Sequence, residues 1–265
     1  MTVVPLYDEF STDYDRFVDW EARLSSELPC FEGLFARYGV HRVLDVACGT
    51  GHHAIALAQR GYDAVGVDLS EPMIEQARKN AIRAQLDVVF VVAGFGELAE
   101  KISGKFDAII CLGNSLPHLL SREQLHQALS DMAVMLRQGG VLILQNRNYD
   151  RILAEEQRFM PLEARAESDR EWLFLRVLDF GPPEHDGLPG LTFHMLTVHR
   201  QRGQWACNVR SAKQRPILSA ELANILPRVG FGETNFYGDY CLTPYHPQRS
   251  TDLIVVARRG QESRR

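Results

Sequence analysis

The sequence has too few cysteines, too widely scattered, to form a disulfide framework or a structural zinc site. Its five cysteines, at positions 30, 48, 111, 207 and 241, are odd in number and never spaced as C-x-x-C. This pattern suits a reducing compartment. The nine histidines include no H-E-x-x-H motif, and the adjacent His52 and His53 point to different faces of a helix. We therefore predict no metal site, and we interpret these two histidines as a solvated helix start.

Long apolar runs and an excess of positive charge are also missing. No stretch reaches the roughly 18 uninterrupted apolar residues that a transmembrane helix needs, and residues 1–5 lack the basic segment of a signal peptide. With a net charge of −5, the protein lacks the excess of positive charge that binding to the phosphates of nucleic acid requires. These absences predict a cytoplasmic protein that binds neither membranes nor nucleic acid.

The most informative stretch is a glycine-rich turn between a strand and a helix. The residues Val43-Leu-Asp-Val-Ala-Cys-Gly-Thr-Gly51 are typical of a buried parallel strand that ends in a sharp turn, and a helical segment over residues 52–60 follows. Gly49 and Gly51 allow the backbone to turn and to approach a ligand closely. The pattern therefore indicates a site for a nucleotide-type cofactor.

Two acidic residues near this turn narrow the choice of cofactor. Asp45 would repel a diphosphate but favour an ammonium group, directly or through water. Asp68 ends a second strand, over residues 64–68, and its carboxylate can accept hydrogen bonds from both hydroxyls of a ribose in the same crevice. S-adenosylmethionine (AdoMet) has an ammonium, a sulfonium and an adenosine but no phosphate. The alternative is a dinucleotide, because Gly49-x-Gly51-x-x-Ala54 also fits the looser dinucleotide pattern; Asp45 argues against it.

Strands and helices alternate along the first half of the chain. Further strands are predicted over residues 87–92, 106–112 and 141–145, with helices that begin at the N-cap candidates Ser70 and Ser121. A helix capped by Ser219 and two late strands, over residues 233–237 and 253–257, follow near the end. The fold class is therefore α/β, with a doubly wound, Rossmann-like, mostly parallel seven-stranded sheet.

Two segments depart from this alternation. Residues 7–37 predict an amphipathic helix with an aromatic stripe of Phe10, Tyr14 and Phe17. We interpret residues 1–40 as a helical segment that packs on the sheet or closes over the cofactor as a lid.

Three strands without intervening helices are predicted over residues 173–180, 191–199 and 204–214. We therefore expect an AdoMet-binding domain of residues 41–150 and 217–260, with residues 151–216 inserted as an antiparallel β cap over the substrate.

The chain resembles the class I AdoMet-dependent methyltransferases over nearly its whole length, and among them the glycine and glycine/sarcosine N-methyltransferases. The matching stretches are the glycine-rich turn, Phe106-Asp-Ala-Ile-Ile-Cys-Leu-Gly-Asn-Ser115 with His118, and Arg147-Asn-Tyr-Asp150. The resemblance implies methyl transfer from AdoMet to the amine of glycine, sarcosine or a similar amino acid, with S-adenosylhomocysteine as the second product.

The resemblance also implies roles for individual residues. Asp68 would bind the ribose hydroxyls, while Asn114 and Arg147 would hold the carboxylate of the acceptor with His118 beside them. Tyr245 is a further candidate substrate contact, although extra residues precede it relative to the family's pattern. The other residues expected at the cofactor are Tyr14, Arg23, Asp45, Ala47, Gly49, Gly51, Leu69, Met73, Gly94, Phe95 and Leu112. Among these, Arg23 would reach the cofactor's carboxylate, and Gly94, Phe95 and Leu112 would surround the adenine side. From the residues alone, Phe95 either stacks on the adenine or belongs to the core.

The residues themselves leave several alternatives open. A guanidinium just past the fifth strand can bind a carboxylate bidentately, but Arg147 could instead form a surface salt bridge, for example with Asp150. His118 is either a general base or an orienting residue.

Three other functions of the whole protein remain: methylation of a different small amine, phenol or carboxylate; a dehydrogenase; and a non-catalytic AdoMet-binding module. The sequence leaves open which acceptor is methylated and whether the protein forms a homo-oligomer.

Overall fold

Seven strands form the central sheet of the protein. The computed structural model describes residues 5–168, 170–184 and 187–260, so residues 1–4 of the predicted N-terminal segment lie outside the described residues. The strands of this sheet are β1 (Arg42–Val46), β2 (Asp63–Asp68), β3 (Val89–Val92), β4 (Phe106–Cys111), β5 (Leu136–Arg147), β10 (Phe231–Tyr237) and β11 (Asp252–Arg259).

The order of these strands is β10-β11-β5-β4-β1-β2-β3. Strands β1 to β5 pair in parallel, and β11 runs antiparallel to both β5 and β10. This confirms the predicted Rossmann-like sheet. In such a sheet the crevice for a ligand lies at the carboxyl ends of the parallel strands, where the direction of the strand order reverses.

The N-terminal segment contains two helices, where the sequence predicted one. Helix α1 (Pro5–Phe17) ends before Asp19, whose side chain accepts a hydrogen bond from the Ala22 N–H and caps α2 (Trp20–Tyr38). The prediction of one helix over residues 7–37 is therefore wrong, because a capping carboxylate favours a helix start over a helix interior.

Helices cover both faces of the sheet because its central strands are apolar on both sides. In β1, Val43 and Leu44 are completely buried in separate hydrophobic clusters. One cluster is covered by α2, α3 (His52–Ala58) and α4 (Glu71–Arg83), and the other by α5 (Leu98–Lys101), α6 (Arg122–Met135) and α8 (Ser219–Arg228). Within the described ranges, no helix combines the length and the apolar character needed to cross a membrane.

A second, antiparallel sheet forms the predicted cap. Its strands β6 (Glu163–Glu167), β7 (Arg170–Pro183), β8 (Pro189–Gln201) and β9 (Gln204–Gln214) pair in that order. The sequence predicted only the last three, because Glu-Ala-Arg-Ala-Glu has no β-branched or aromatic residue to indicate a strand. A short helix, α7 (Tyr149–Ala154), was also not predicted; it leads from β5 towards the cap.

The predicted helix caps are confirmed in two of three cases. Ser70 and Ser121 accept hydrogen bonds from the N–H groups of Met73 and Gln124. Ser219 is not a cap, because Leu218 occupies that position of α8. The Ser219 N–H instead donates to the distant carboxylate of Asp150.

Candidate active site

A cavity of about 110 Å³ lies at the carboxyl ends of β1, β2 and β4. We call it the large cavity. It is lined by Tyr7, Tyr14, Val46, Ala47, Gly49, Asp68, Leu69, Ser70, Met73, Ala93, Gly94, Phe95, Gly113, Ser115 and His118. Most of the residues predicted at the cofactor are therefore in its lining, whereas Arg23, Asp45, Gly51 and Leu112 are not part of it.

The glycine-rich turn brings its backbone to the edge of this cavity. Ala47 has a φ of 60° and Gly49 a φ of 54°, so the chain passes through the left-handed region on both sides of Cys48. Such a conformation costs free energy for alanine and is typically retained at functional sites. Gly51, with a φ of 80°, has a packing role, because a Cβ atom there would lie 2.6 Å from the ring of Phe90.

Asp68 provides a fixed carboxylate in the lining of the large cavity. Its Oδ2 atom accepts a hydrogen bond from the Gly49 N–H at 2.8 Å, and its Oδ1 atom accepts one from the Ser70 N–H at 2.9 Å. Each carboxylate oxygen can accept a further hydrogen bond, as from a ribose hydroxyl. Among the described residues, no lysine or arginine lines this cavity. A diphosphate would therefore meet a negative charge and no positive one, whereas an adenosine-containing cofactor without phosphate fits.

Asp45 and Arg23 form a second layer outside the cavity lining. Asp45 is 2% exposed, and its Oδ2 atom has no hydrogen-bond partner among the described residues. Burial raises the pKa of Asp45 to about 7, against the opposing effect of the Arg23 guanidinium. Arg23 donates from Nε to Glu27 at 2.8 Å, and its other end lies near Gly113.

A smaller cavity, of about 60 Å³, adjoins the large one, and Tyr7, Tyr14 and Gly113 line both. We call it the small cavity. Asn114 and Arg147 are in its lining, together with Phe193, Met195, Arg176 and Gln214 from the cap and Leu6, Phe10 and Phe17 from α1. The cap and the N-terminal helix thus enclose the space beside the predicted acceptor residues.

Asn114 and Arg147 are connected directly. The Asn114 side-chain oxygen accepts a hydrogen bond from the Arg147 backbone N–H at 3.0 Å. The guanidinium of Arg147 lies over the ring of Phe193, 5.5 Å from its centre, and its buried Nη1 atom has no hydrogen-bond partner among the described residues. The alternative partner, Asp150, instead accepts hydrogen bonds from the Tyr245 hydroxyl at 2.6 Å and the Ser219 N–H at 3.1 Å.

His118 is in the lining of the large cavity and is held by neighbours from two other elements. Its Nε2 atom is 2.8 Å from the Tyr7 hydroxyl and 3.3 Å from the Gln214 side-chain nitrogen. Burial lowers the pKa of His118 to about 4, and the positive charge of Arg147 acts in the same direction. The imidazole is therefore neutral near pH 7 and can accept the proton of the Tyr7 hydroxyl in a hydrogen bond.

The structure places Tyr245 apart from this arrangement. Its hydroxyl contacts the side chains of Asn148 and Asp150, and the residue is in the lining of neither cavity.

Two residues that the sequence analysis did not single out, Tyr7 and Gln214, line the site. Tyr7 could have been found, since it precedes Phe10 by one helical turn on the same aromatic stripe.

The two adjacent histidines are not a solvated helix start. His53 is 4% exposed and its Nε2 atom contacts the Glu27 carboxylate, while His52 stacks on Trp20 with 4.3 Å between ring centres. The earlier interpretation is wrong because α2, which covers this end of α3, supplies both partners.

Comparison with known proteins places the chain among methyltransferases. Residues 43–140 match the family described as a methyltransferase domain. The glycine/sarcosine N-methyltransferase of Aphanothece halophytica is 32% identical over 252 residues, which cover 94% of this chain and 88% of that protein. The protein of the same name from Parasynechococcus marenigrum is 40% identical over 146 residues; this match covers 55% of the chain and about half (52%) of that relative.

Solved structures support the same fold. An S-adenosylmethionine-dependent methyltransferase from Clostridium acetobutylicum superposes with a TM-score of 0.74 at 17% identity, covering 96% of this chain and 99% of that one. A sugar N-methyltransferase from Streptoalloteichus has a TM-score of 0.72 at 19% identity, covering 90% and 88%. At these identities the likeness shows the fold alone.

Proposed function

The chain belongs to the glycine/sarcosine N-methyltransferase family, and on this basis we propose that it transfers a methyl group from AdoMet to the amine of glycine, sarcosine or a similar amino acid. The observation that carries this proposal is the unpartnered Nη1 atom of Arg147, in a cavity that shares its lining with the large one. A buried guanidinium without a partner is costly unless a ligand supplies the anion.

The large cavity would hold the cofactor. Asp68 would accept hydrogen bonds from the ribose hydroxyls, and the backbone at Ala47 and Gly49 would approach the methionine portion. Leu69, Met73, Gly94 and Phe95 would surround the adenine side, with the Phe95 ring as a stacking surface. When bound there, AdoMet supplies an electrophilic methyl group on a sulfonium sulfur.

The small cavity would hold the acceptor. Arg147 would bind its carboxylate through charge-assisted hydrogen bonds, which fix direction as well as position. Asn114 supports this arginine through the backbone contact at 3.0 Å. Aligning the amine in this way can contribute several kcal/mol to lowering the barrier.

His118 would orient the site rather than act as a strong base. With a pKa of about 4, the imidazole is too weakly basic to deprotonate an ammonium near neutral pH, so the enzyme must select the unprotonated amine. Tyr7 and Tyr14 of α1 line both cavities. They would exclude water from the space between cofactor and acceptor.

A radiolabelled-methyl assay with glycine, sarcosine, dimethylglycine and unrelated amines tests this proposal. Turnover should occur with glycine or sarcosine and increase with pH, since the neutral amine is the reactive form. Turnover confined to phenols or amines without a carboxylate would contradict the acceptor assignment. AdoMet binding without turnover on any acceptor would instead indicate a non-catalytic module.

The variant Arg147→Gln provides the corresponding residue test. We expect the KM for the amino-acid acceptor to rise at least about 30-fold, because losing one side of a buried charge pair costs about 2–5 kcal/mol. The Kd of AdoMet from calorimetry should stay unchanged. Arg158→Gln, at a half-exposed arginine paired with Asp179 on the cap, is the matched control. Equal KM values in both variants would exclude Arg147 as the carboxylate ligand.

A further inference from the structure

The small cavity contains a second guanidinium that carboxylate binding by Arg147 alone does not explain. Arg176, on β7 of the cap, is in the lining together with Arg147 from β5. No aspartate or glutamate among the described residues shares this lining. The space beside the cofactor therefore carries two positive charges and no negative one.

The charge of Arg176 is only partly balanced from outside the cavity. Its Nη2 atom donates to the backbone oxygen of Pro161 at 3.1 Å and lies 3.5 Å from the Glu163 carboxylate, a side chain that is 36% exposed. Its buried Nε atom has no hydrogen-bond partner in the described part of the chain, as for Arg147 Nη1. Burial lowers the pKa of Arg176 to about 10, and the charge of Arg147 adds to this effect. A ligand with negative charge near both groups would relieve this repulsion.

Aromatic and aliphatic side chains lie beside both guanidinium groups. The Arg176 guanidinium lies 5.1 Å from the ring centre of Phe17, and that of Arg147 lies 5.5 Å from the ring centre of Phe193. Met195, the register partner of Arg176 in the cap sheet, is also in the lining.

We propose that the acceptor site takes an α-amino acid with a second carboxylate on its side chain. Arg147 binds the α-carboxylate, Arg176 binds the side-chain carboxylate, and the aliphatic carbons between them lie against Met195 and the aromatic rings. This inference rests on the proposed function and adds the charge of the side chain to it. A dicarboxylic amino acid is then a better acceptor than glycine or a neutral amino acid of equal size.

Calorimetry with the protein saturated with S-adenosylhomocysteine tests this inference without turnover. The probes are succinate and butyrate, since butyrate has a methyl group where succinate has its second carboxylate. We expect succinate to bind at least tenfold more tightly than butyrate. Equal binding of the two probes to the unaltered protein would overturn the proposal by itself, whatever the behaviour of any variant.

The variant Arg176→Gln distinguishes two roles for this arginine: binding a second carboxylate, or binding the same carboxylate as Arg147. If Arg176 binds the second carboxylate, its loss weakens succinate to the level of butyrate and leaves butyrate unchanged. If both arginines share a single carboxylate, both probes weaken together, and the proposal is overturned. Arg176→Lys, which keeps the charge, should retain part of the preference for succinate. Arg200→Gln is the matched control, because Arg200 is 49% exposed on β8 and pairs with Glu171.

Turnover distinguishes failure of this inference from failure of the proposed function. Glutamate should have a kcat/KM at least tenfold above that of norvaline, which has the same side-chain length without the carboxylate. Methylation of glycine or sarcosine with no preference for glutamate over norvaline would overturn the second carboxylate site alone. No methylation of any amino acid would overturn the proposed function as well.

Discussion

Asn114 connects three parts of the molecule through one side chain. Its φ of 65° is in the left-handed region, which asparagine tolerates better than most residues. Its Oδ1 atom accepts from the Arg147 N–H, and its Nδ2 atom donates to the Tyr149 hydroxyl at 3.0 Å. Tyr149 in turn donates to Gln214 of the cap. The position of Arg147 is thus coupled to both β4 and the cap sheet.

Asp68 is the residue whose change should affect cofactor binding most directly. Asp68→Asn keeps the size of the side chain but removes the charge, and hydrogen bonds to charged groups contribute about 1.5–3 kcal/mol each. We expect the Kd of AdoMet to rise at least about tenfold by calorimetry. Asp63→Asn, at the exposed opposite end of β2, should leave the Kd unchanged. The ribose assignment fails if both variants bind AdoMet equally well.

Asp45 should make stability depend on pH. Burial raises its pKa to about 7 in the folded protein, against about 3.9 in an unfolded chain. Between these values the folded state binds more protons, so the free energy of unfolding decreases as pH rises. Asp45→Asn removes this titration. Urea unfolding at pH 5, 6, 7 and 8 should show the variant gaining stability relative to the parent protein as pH rises. A constant difference would show that Asp45 does not titrate in this range.

At the scale of single elements, α1 is held against the cofactor side by acidic residues. Asp15 accepts hydrogen bonds from Thr50, from His52 at 3.0 Å and from Asn80 at 2.8 Å. One turn from the other end of the helix, Asp8 accepts one from Ser70. These contacts join α1 to the glycine-rich turn and to α3 and α4, so α1 must separate from them if it is to act as a lid.

Removing Asp15 should loosen this helix. We expect Asp15→Ala to increase amide hydrogen exchange in α1 at least about tenfold, because it removes several hydrogen bonds to a charged acceptor. Dissociation of AdoMet should become faster in stopped-flow measurements. Asp13→Ala, which removes the carboxylate that pairs with Arg16 three residues further along, is the control on the same helix. Unchanged exchange in α1 would show that apolar packing alone holds it.

At the scale of the whole molecule, α1 and the cap share one hydrophobic cluster. Leu6 and Phe10 of α1 pack with Trp172, Phe174, Phe193 and Met195 of the cap, and with Tyr149 and Ile152 of α7. This cluster is distinct from the two that flank the central sheet. The N-terminal helix and the inserted sheet therefore enclose the site as one packed unit.

Phe10 packs inside this unit, and we expect it to contribute to the stability of the whole protein. It is 1% exposed, and its ring centre lies 6.1 Å from that of Phe174. Phe10→Ala should lower the free energy of unfolding by about 3–5 kcal/mol, measured in urea. Phe159→Ala, at a ring that is 66% exposed, should change it by less than about 0.5 kcal/mol. A cost of that small size at Phe10 would mean that α1 is not part of the cooperative fold.

The central sheet and the cofactor side of the site could be predicted because their signals are local. Residues 43–46 and 106–112 are apolar apart from Asp45 and Asp107, which is close to the continuous apolar run of a strand buried on both faces. Ser70 and Ser121 precede their helices directly, and Asp68 and the glycine-rich turn lie at the ends of predicted strands. In each case a few neighbouring residues contain the whole pattern, and the parallel topology then brings the strand ends together.

The rest depended on pairing between distant segments. Strand β6 has no strand-like composition, and it exists because β7 offers it a hydrogen-bonding edge. Whether Arg176 and Gln214 face the small cavity is set by the register of β7, β8 and β9, and a shift of one residue would turn them to the other face. The sequence alone therefore determined the fold class and the cofactor side. Only the tertiary structure decided which cap residues face the small cavity, because strand register depends on contacts between residues far apart in the chain.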